Sequence, residues 1–173
     1  MESSLKVLFA GCGDIAVRAI AQLNNLQSDC DWQTLGMRRN VAKLPAGIDA
    51  IAGDIRDRAH LQDLLNSQNI DVLVVTLTPN QMSDEGYRDS YVVAAQSIES
   101  AVKACRQPPG LIVWVSSTGV YGQNSGEWVN ESTETNPVSF RGKRLLEAEN
   151  IISSLPIASI IVRFSGIYGP GRN

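Results

Sequence analysis

The chain has 173 residues, 43% of them hydrophobic, and a net charge of −3 at neutral pH. That length and composition describe a single globular domain with a sizeable core and exclude a disordered chain. Because the balance is acidic and there is no long basic run, nucleic acid and anionic membrane are excluded as main partners, and any phosphate binding has to be local.

The apolar run before Gly11 is too short for a signal peptide, and no segment has the length to span a bilayer, so a cytoplasmic location is expected. Cys12, Cys30 and Cys105 show no Cys-x-x-Cys spacing and leave an odd count, so neither a disulfide framework nor a metal site is expected. His60 is the single histidine. It falls in the first turn of an expected surface helix and is read as solvated, which leaves no histidine for a catalytic triad.

Leu5 to Ala10 is an apolar run of the kind found in a strand buried on both faces. It passes through Gly11-Cys12-Gly13-Asp14-Ile15-Ala16 into a segment where Ile15, Ala16, Ala19, Ile20 and Leu23 recur at helical spacing. Strand, glycine turn and helix in that order form a G-x-G-x-x-A dinucleotide fingerprint. The first glycine allows the tight turn, the second admits a pyrophosphate, and the helix N-terminus supplies amides and a positive dipole end. Gly11, Cys12, Gly13, Asp14 and Ile15 are therefore candidate cofactor contacts.

Further strands are expected at Trp32 to Met37, Ile48 to Ala52, Asp71 to Leu77, Leu111 to Ser116 and Ile157 to Phe164. Asp57 can cap a helix reaching about Asn66, and Gly86 to Cys105 reads as one long helix whose stripe, including Tyr87 and Tyr91, is core packing. Gly119 to Pro137 is a polar loop of a length that usually covers a site, followed by a helix from about Val138 to Ser153. Six strands alternating with helices predict an α/β, doubly wound parallel sheet of Rossmann type, in the order 3-2-1-4-5-6 with helices on both faces. The ligand crevice lies at the carboxyl ends of its strands.

The place where a carboxylate would accept the ribose hydroxyls of NAD, at the end of the second strand, is Gly36, followed by Met37-Arg38-Arg39. Two guanidinium groups there suit a 2′-phosphate, so NADP is the expected cofactor and NAD the second choice; a solvated basic loop is the alternative. Asp54 and Ile55 are placed to meet the adenine. Thr76, Leu77 and Thr78 are placed to line the cofactor beside the fourth strand.

Val115-Ser116-Ser117-Thr118-Gly119-Val120-Tyr121-Gly122 and Val162-Arg163-Phe164-Ser165-Gly166-Ile167-Tyr168-Gly169-Pro170-Gly171 follow the fifth and sixth strands. With the glycine turn, these motifs resemble the extended short-chain dehydrogenase/reductases, especially the NAD(P)-dependent sugar-nucleotide epimerases and dehydratases. The resemblance implies that Ser117 hydrogen-bonds the oxygen being oxidised or reduced, that Lys143 holds the nicotinamide ribose, and that Ser116 and Phe164 lie at the cofactor. It also implies a small-molecule substrate such as a nucleotide sugar. Where the family carries its catalytic tyrosine this chain has Ser139, a departure shared by the atypical branch of the superfamily. Tyr121 and Tyr168 are then candidates for a relocated acid/base, Tyr121 the favoured one, with structural packing as the alternative for both.

Residues 1–173 are expected to be the dinucleotide-binding domain, with the family's carboxyl-terminal substrate domain largely absent. The rival function is a non-catalytic NADP-binding sensor or scaffold. The sequence leaves oligomeric state open.

Overall fold

The computed structural model describes residues 4–26, 31–123 and 125–169. Asp29, Cys30 and the Pro170-Gly171 end of the last motif lie outside these residues. The amino-terminal half supplies β1 (Ser4–Ala10), α1 (Asp14–Asn25), β2 (Asp31–Arg38), β3 (Asp49–Ala52), α2 (Arg58–Gln68) and β4 (Val72–Val75). The rest supplies α3 (Asp84–Tyr87), α4 (Val93–Ala104), β5 (Leu111–Ser117), α5 (Phe140–Ser153) and β6 (Ala158–Phe164). The strands pair in parallel in the expected order, β3-β2-β1-β4-β5-β6.

Strand alternation divides the core in two. Val7 and Phe9 of β1 pack with Cys12 and with Ala16 and Ile20 of α1. Leu8 and Ala10 face the other way, into a larger cluster holding Leu61 and Leu65 of α2, Ile98 of α4, Trp114 of β5 and Ile152 of α5. Helices thus lie on both faces of the sheet, and burying a side chain such as Phe9 or Ile98 contributes roughly 1.5–3 kcal/mol.

The caps follow local chemistry. Asp57 accepts from the His60 amide at 3.1 Å to start α2, and Asn69 ends that helix in the left-handed region at φ 50°. His60 departs from its expected solvated role: its Nε2 is buried without a hydrogen-bond partner and backs onto Gly53, where a Cβ would come within 2.6 Å of it.

The long helix expected from Gly86 to Cys105 is interrupted. Ser83 caps α3 through its hydroxyl, and a π turn (Arg88–Val92) joins α3 to α4. Strand β4 is also shorter than its apolar run. The chain leaves the sheet at Thr76, whose hydroxyl donates to the Gly11 carbonyl at 3.1 Å, and the Leu77 carbonyl accepts from the Tyr91 hydroxyl at 3.3 Å.

Candidate functional site

The β1 to α1 connection puts Gly11 at φ 76°, where a side chain would run into the Thr76 carbonyl and lie 2.8 Å from Leu77 Cδ2. Gly13 differs: a Cβ there would meet only the Gly11 carbonyl, at 3.7 Å. Space beside its backbone is open, as close approach of a pyrophosphate requires. Gly13 also caps α1 with no side-chain hydrogen bond, so the first turn keeps the amide character that receives phosphate. Cys12 lies beneath, fully buried, its amide donating to the Met37 carbonyl at 2.9 Å and its thiol pKa raised by burial.

Three cavities run along the carboxyl ends of the strands. The first, about 280 Å³, is lined by Gly11, Gly13, Arg38, Arg39, Asp54 and Ile55, and by Thr76, Leu77 and Thr78. The second, about 370 Å³, lies between Asp14, Ile15 and Arg18 at the start of α1 and Phe164 to Gly169 after β6. The third, about 520 Å³, shares Leu77 and Thr78 with the first and Ile15 and Phe164 with the second, and adds Ser116, Ser117 and Ser139. Apart from Lys143, the cofactor residues read from the sequence therefore line these adjoining cavities, with Cys12 just below them. Lys143, exposed on α5, and Tyr121, half-buried after β5, both lie outside the walls of all three cavities.

Charge in the first cavity is arranged around Arg56. Its guanidinium grips both oxygens of Asp54 and pairs with Asp89 of the π turn, which also accepts from the Asn80 side chain. The Arg56 side chain and amide hold the Asp54 carboxyl below the usual carboxylate range despite partial burial. Arg39 reaches Asn80 Oδ1 at 3.1 Å, and Arg38 leans on the Cys12 carbonyl at 3.4 Å. Gly36, expected at the end of the second strand, instead lies buried two residues inside β2 and outside the first cavity, where a Cβ would meet Ile48 at 2.9 Å and Cys12 Sγ at 3.0 Å; Arg38 is the residue that ends the strand.

Behind the third cavity lies a buried ionic cluster. Glu149 of α5, 2% exposed, accepts from the Ser116 hydroxyl at 2.5 Å and pairs with Arg163 of β6 at 2.8 Å. Arg163 also donates to the Tyr121 hydroxyl at 3.0 Å and sits over its ring, while Tyr121 donates to the Asn130 carbonyl at 3.0 Å. The phenol of Tyr121 is thus used to pin the loop after β5 onto β6. Tyr91, whose hydroxyl is engaged by Leu77, has its pKa pushed up to about 12 by burial and the neighbouring Tyr87. Ser139 caps α5 by accepting from the Gly142 amide at 3.2 Å, and Gly142 packs so closely on the Gly119 carbonyl that a side chain there would collide. This junction brings the start of α5 against the end of β5.

A profile of the RmlD substrate binding domain matches residues 10–173. The chain belongs to the RmlD substrate binding domain family. This agrees with the resemblance read from the sequence, and known structures bear out the fold. An RmlD-family reading is joined by similarity to a putative NAD-dependent epimerase/dehydratase from Methylobacillus flagellatus. That match has 35% identity and TM-score 0.77 over 98% of this chain and 57% of the other. UDP-glucuronic acid 4-epimerase from Bacillus cereus, solved with NAD, is 22% identical with TM-score 0.74 over 96% of this chain and 58% of its own, a likeness of fold. Protein YeeZ of Escherichia coli K12 is 39% identical over 112 residues, 64% of this chain and 39% of that protein. The chain thus spans well under two thirds of each of these relatives.

Sequence reasoning missed Glu149, Arg56, Asp89 and Asn80. Glu149 sits in a helical stretch of mixed charge, Glu147-Ala148-Glu149, and nothing in its spacing marks it as the one that turns inward. Asp89 meets Arg56 from within the π turn, which the sequence pattern does not mark. Among the described residues no cluster of histidine, cysteine and carboxylate suits a metal ion, and no helix is long and apolar enough to cross a membrane.

Proposed function

We propose that residues 1–173 form the dinucleotide-binding domain of an NAD(P)-dependent protein of epimerase/dehydratase type, with NADP preferred over NAD. The observation that carries this reading is the pairing of the Gly11–Gly13 cradle, open at Gly13, with a neighbouring cavity lined by Arg38 and Arg39. Pyrophosphate falls to the amides at the start of α1, the adenine end to Asp54 and Ile55, and a 2′-phosphate to Arg38 and Arg39. Arg38, a guanidinium rather than a carboxylate, ends β2 and lines this cavity, which favours the phosphate-bearing form.

When bound, the nicotinamide supplies or takes up hydride at its C4. The third cavity, where Ser117 and Phe164 meet, is the place assigned to that exchange with a substrate carbonyl or carbinol. Ser117 Oγ accepts from the Gly119 amide at 3.1 Å, which leaves its proton to be donated to the substrate oxygen. Lys143 as ribose holder rests on the family resemblance and requires its side chain to fold over the rim of the cavity. Tyr121 could give up a proton only by releasing Asn130, so water or a substrate group is the better source. The substrate is a small molecule, with nucleotide sugars the class suggested by the Bacillus cereus epimerase.

Affinity for NADP and NAD, measured by titration calorimetry, tests the reading. Arg38→Ala with Arg39→Ala is expected to lower the NADP to NAD affinity ratio by about tenfold or more, the scale of charge-assisted hydrogen bonds. An unchanged ratio overturns the phosphate assignment, and no binding of either form overturns the function. The second reading, a non-catalytic sensor or scaffold, is favoured by the engagement of the Tyr121 hydroxyl with Asn130 and Arg163. It requires that NADPH raise the melting temperature without being oxidised by any carbonyl compound offered.

A further inference from the structure

Arg38 and Arg39 enter the first cavity from the same strand end, but they are held differently. Arg38 leans on the Cys12 carbonyl at 3.4 Å, whereas the exposed Arg39 directs Nη2 to Asn80 Oδ1, beyond the end of β4, at 3.1 Å. Among the described residues Arg39 forms no ion pair, and its side-chain hydrogen bond is to a neutral amide.

Asn80 is exposed as well, yet it is the fixed member of the pair. Its backbone amide donates to the hydroxyl of the buried Ser90 at 3.0 Å and its Nδ2 donates to Asp89 Oδ2 at 3.2 Å, both acceptors belonging to the π turn. Asp89 is in turn paired with Arg56, which holds both oxygens of Asp54. A cation on one side and a carboxylate on the other settle which way the side-chain amide faces, oxygen to Arg39 and nitrogen to Asp89. Segments that follow β2, β3 and β4 are thereby joined through the π turn around one cavity.

An exposed arginine loses much side-chain freedom when it grips a ligand, and a partner that already fixes it lowers that loss. The partner also has to be uncharged. A carboxylate in place of Asn80 would offset the attraction of Arg39 for a phosphate and would confront Asp89 with like charge. An amide instead takes up one N–H of the guanidinium and leaves its charge and its remaining donors to an incoming oxyanion.

We propose that Asn80 is a positioning residue for coenzyme selectivity: by holding Arg39 from the far side of the cavity, it sets the guanidinium in place for the 2′-phosphate of NADP. This rests on the assignment of that phosphate to Arg38 and Arg39. It makes the NADP to NAD preference depend on a residue outside the basic pair.

Calorimetric titration of NADP and NAD into the unaltered protein, Asn80→Ala, Arg39→Ala and the double variant tests this as a cycle. Asn80→Ala is expected to lower the NADP to NAD affinity ratio about threefold or more, Arg39→Ala to lower it further, and Asn80→Ala to add nothing once Arg39 is gone. Asn80→Asp, which can still hold Arg39 but offsets its charge, is expected to lower the ratio at least as far as Asn80→Ala. A ratio unchanged by Asn80→Ala while Arg39→Ala lowers it overturns the proposal and leaves the phosphate assignment standing. An effect of Asn80→Ala that persists undiminished without Arg39 also overturns it, since a loosened π turn would act in that way. If Arg39→Ala itself leaves the ratio unchanged, the assignment of the phosphate to Arg39 and the role of Asn80 fall together, and if neither nucleotide binds, the cofactor reading falls with them.

Discussion

Gly11 and Gly13 sit two residues apart and are demanded for different reasons, so their substitution should separate stability from binding. Gly11→Ala forces a side chain into a left-handed conformation and onto the Thr76 carbonyl, and is expected to cost about 1–3 kcal/mol in a denaturant melt. Gly13→Ala meets open space and an ordinary extended backbone at φ −106°. It should leave the melt within about 0.5 kcal/mol while weakening NADP binding by about tenfold or more, because its Cβ occupies the room left for the pyrophosphate. Tyr91 offers a second check at this scale. Its folded pKa of about 12 lies above the ordinary phenol value of about 10, so the folded protein keeps a proton that the unfolded chain releases. Its contribution is complete below about pH 10 and declines as pH rises toward 12. Tyr91→Phe should remove that alkaline decline from the pH dependence of stability, and a phenolate absorbance titration should lose its latest component. The glycine roles were legible from the sequence because a turn between a buried strand and a helix has few solutions. The commitment of Tyr91 to Leu77 was not, since helical spacing marks a tyrosine as buried without saying where its hydroxyl goes.

At the level of elements, the carboxyl ends of β4, β5 and β6 are held in place by polar clamps drawn from the helices behind them. The π turn is one such device. It presents Asp89 to Arg56, Ser90 to the Asn80 amide at 3.0 Å and Tyr91 to Leu77, fixing the stretch shared by the first and third cavities. Wide turns of this kind recur at functional sites because one extra residue re-aims its neighbours. They escape sequence reading for the same reason: the apolar stripe on either side continues almost undisturbed. Glu149 is the second clamp. Removing it strands the Arg163 charge and the Ser116 hydroxyl, so Glu149→Ala should cost about 3 kcal/mol or more by equilibrium unfolding. Glu149→Gln, which keeps an acceptor for Ser116, should cost less. The strands were readable to within about two residues because each is a short apolar run, continuous where the strand is buried on both faces as in the second half of β1. The pairing of Glu149 with Arg163 was not, because it joins α5 to β6 through tertiary packing.

For the molecule as a whole, a net charge of −3 coexists with a first cavity that gathers Arg38, Arg39, Lys43 and Arg56. On the proposed reading, long-range attraction for an anionic cofactor would therefore be weak, and selectivity would rest on short contacts that salt screens in part. Raising ionic strength from about 0.05 M to about 0.5 M, across which the screening length shrinks from above 10 Å to a few ångströms, should narrow the NADP to NAD affinity ratio by several-fold. Calorimetry of both nucleotides across that series checks it, and a ratio indifferent to salt would speak against the guanidinium pair. Topology was the most legible level of all, since strand order follows from alternation and right-handed crossover once six apolar runs are recognised. Two of the three indoles lend the fold one practical asset: Trp114 is wholly enclosed in β5, whereas Trp128, on the loop that Tyr121 anchors, stands 99% bare. With the half-buried Trp32 of β2 replaced by phenylalanine, their emission should separate by colour and by access to a dissolved quencher, giving the protein an internal optical gauge of whether anything settles over that loop.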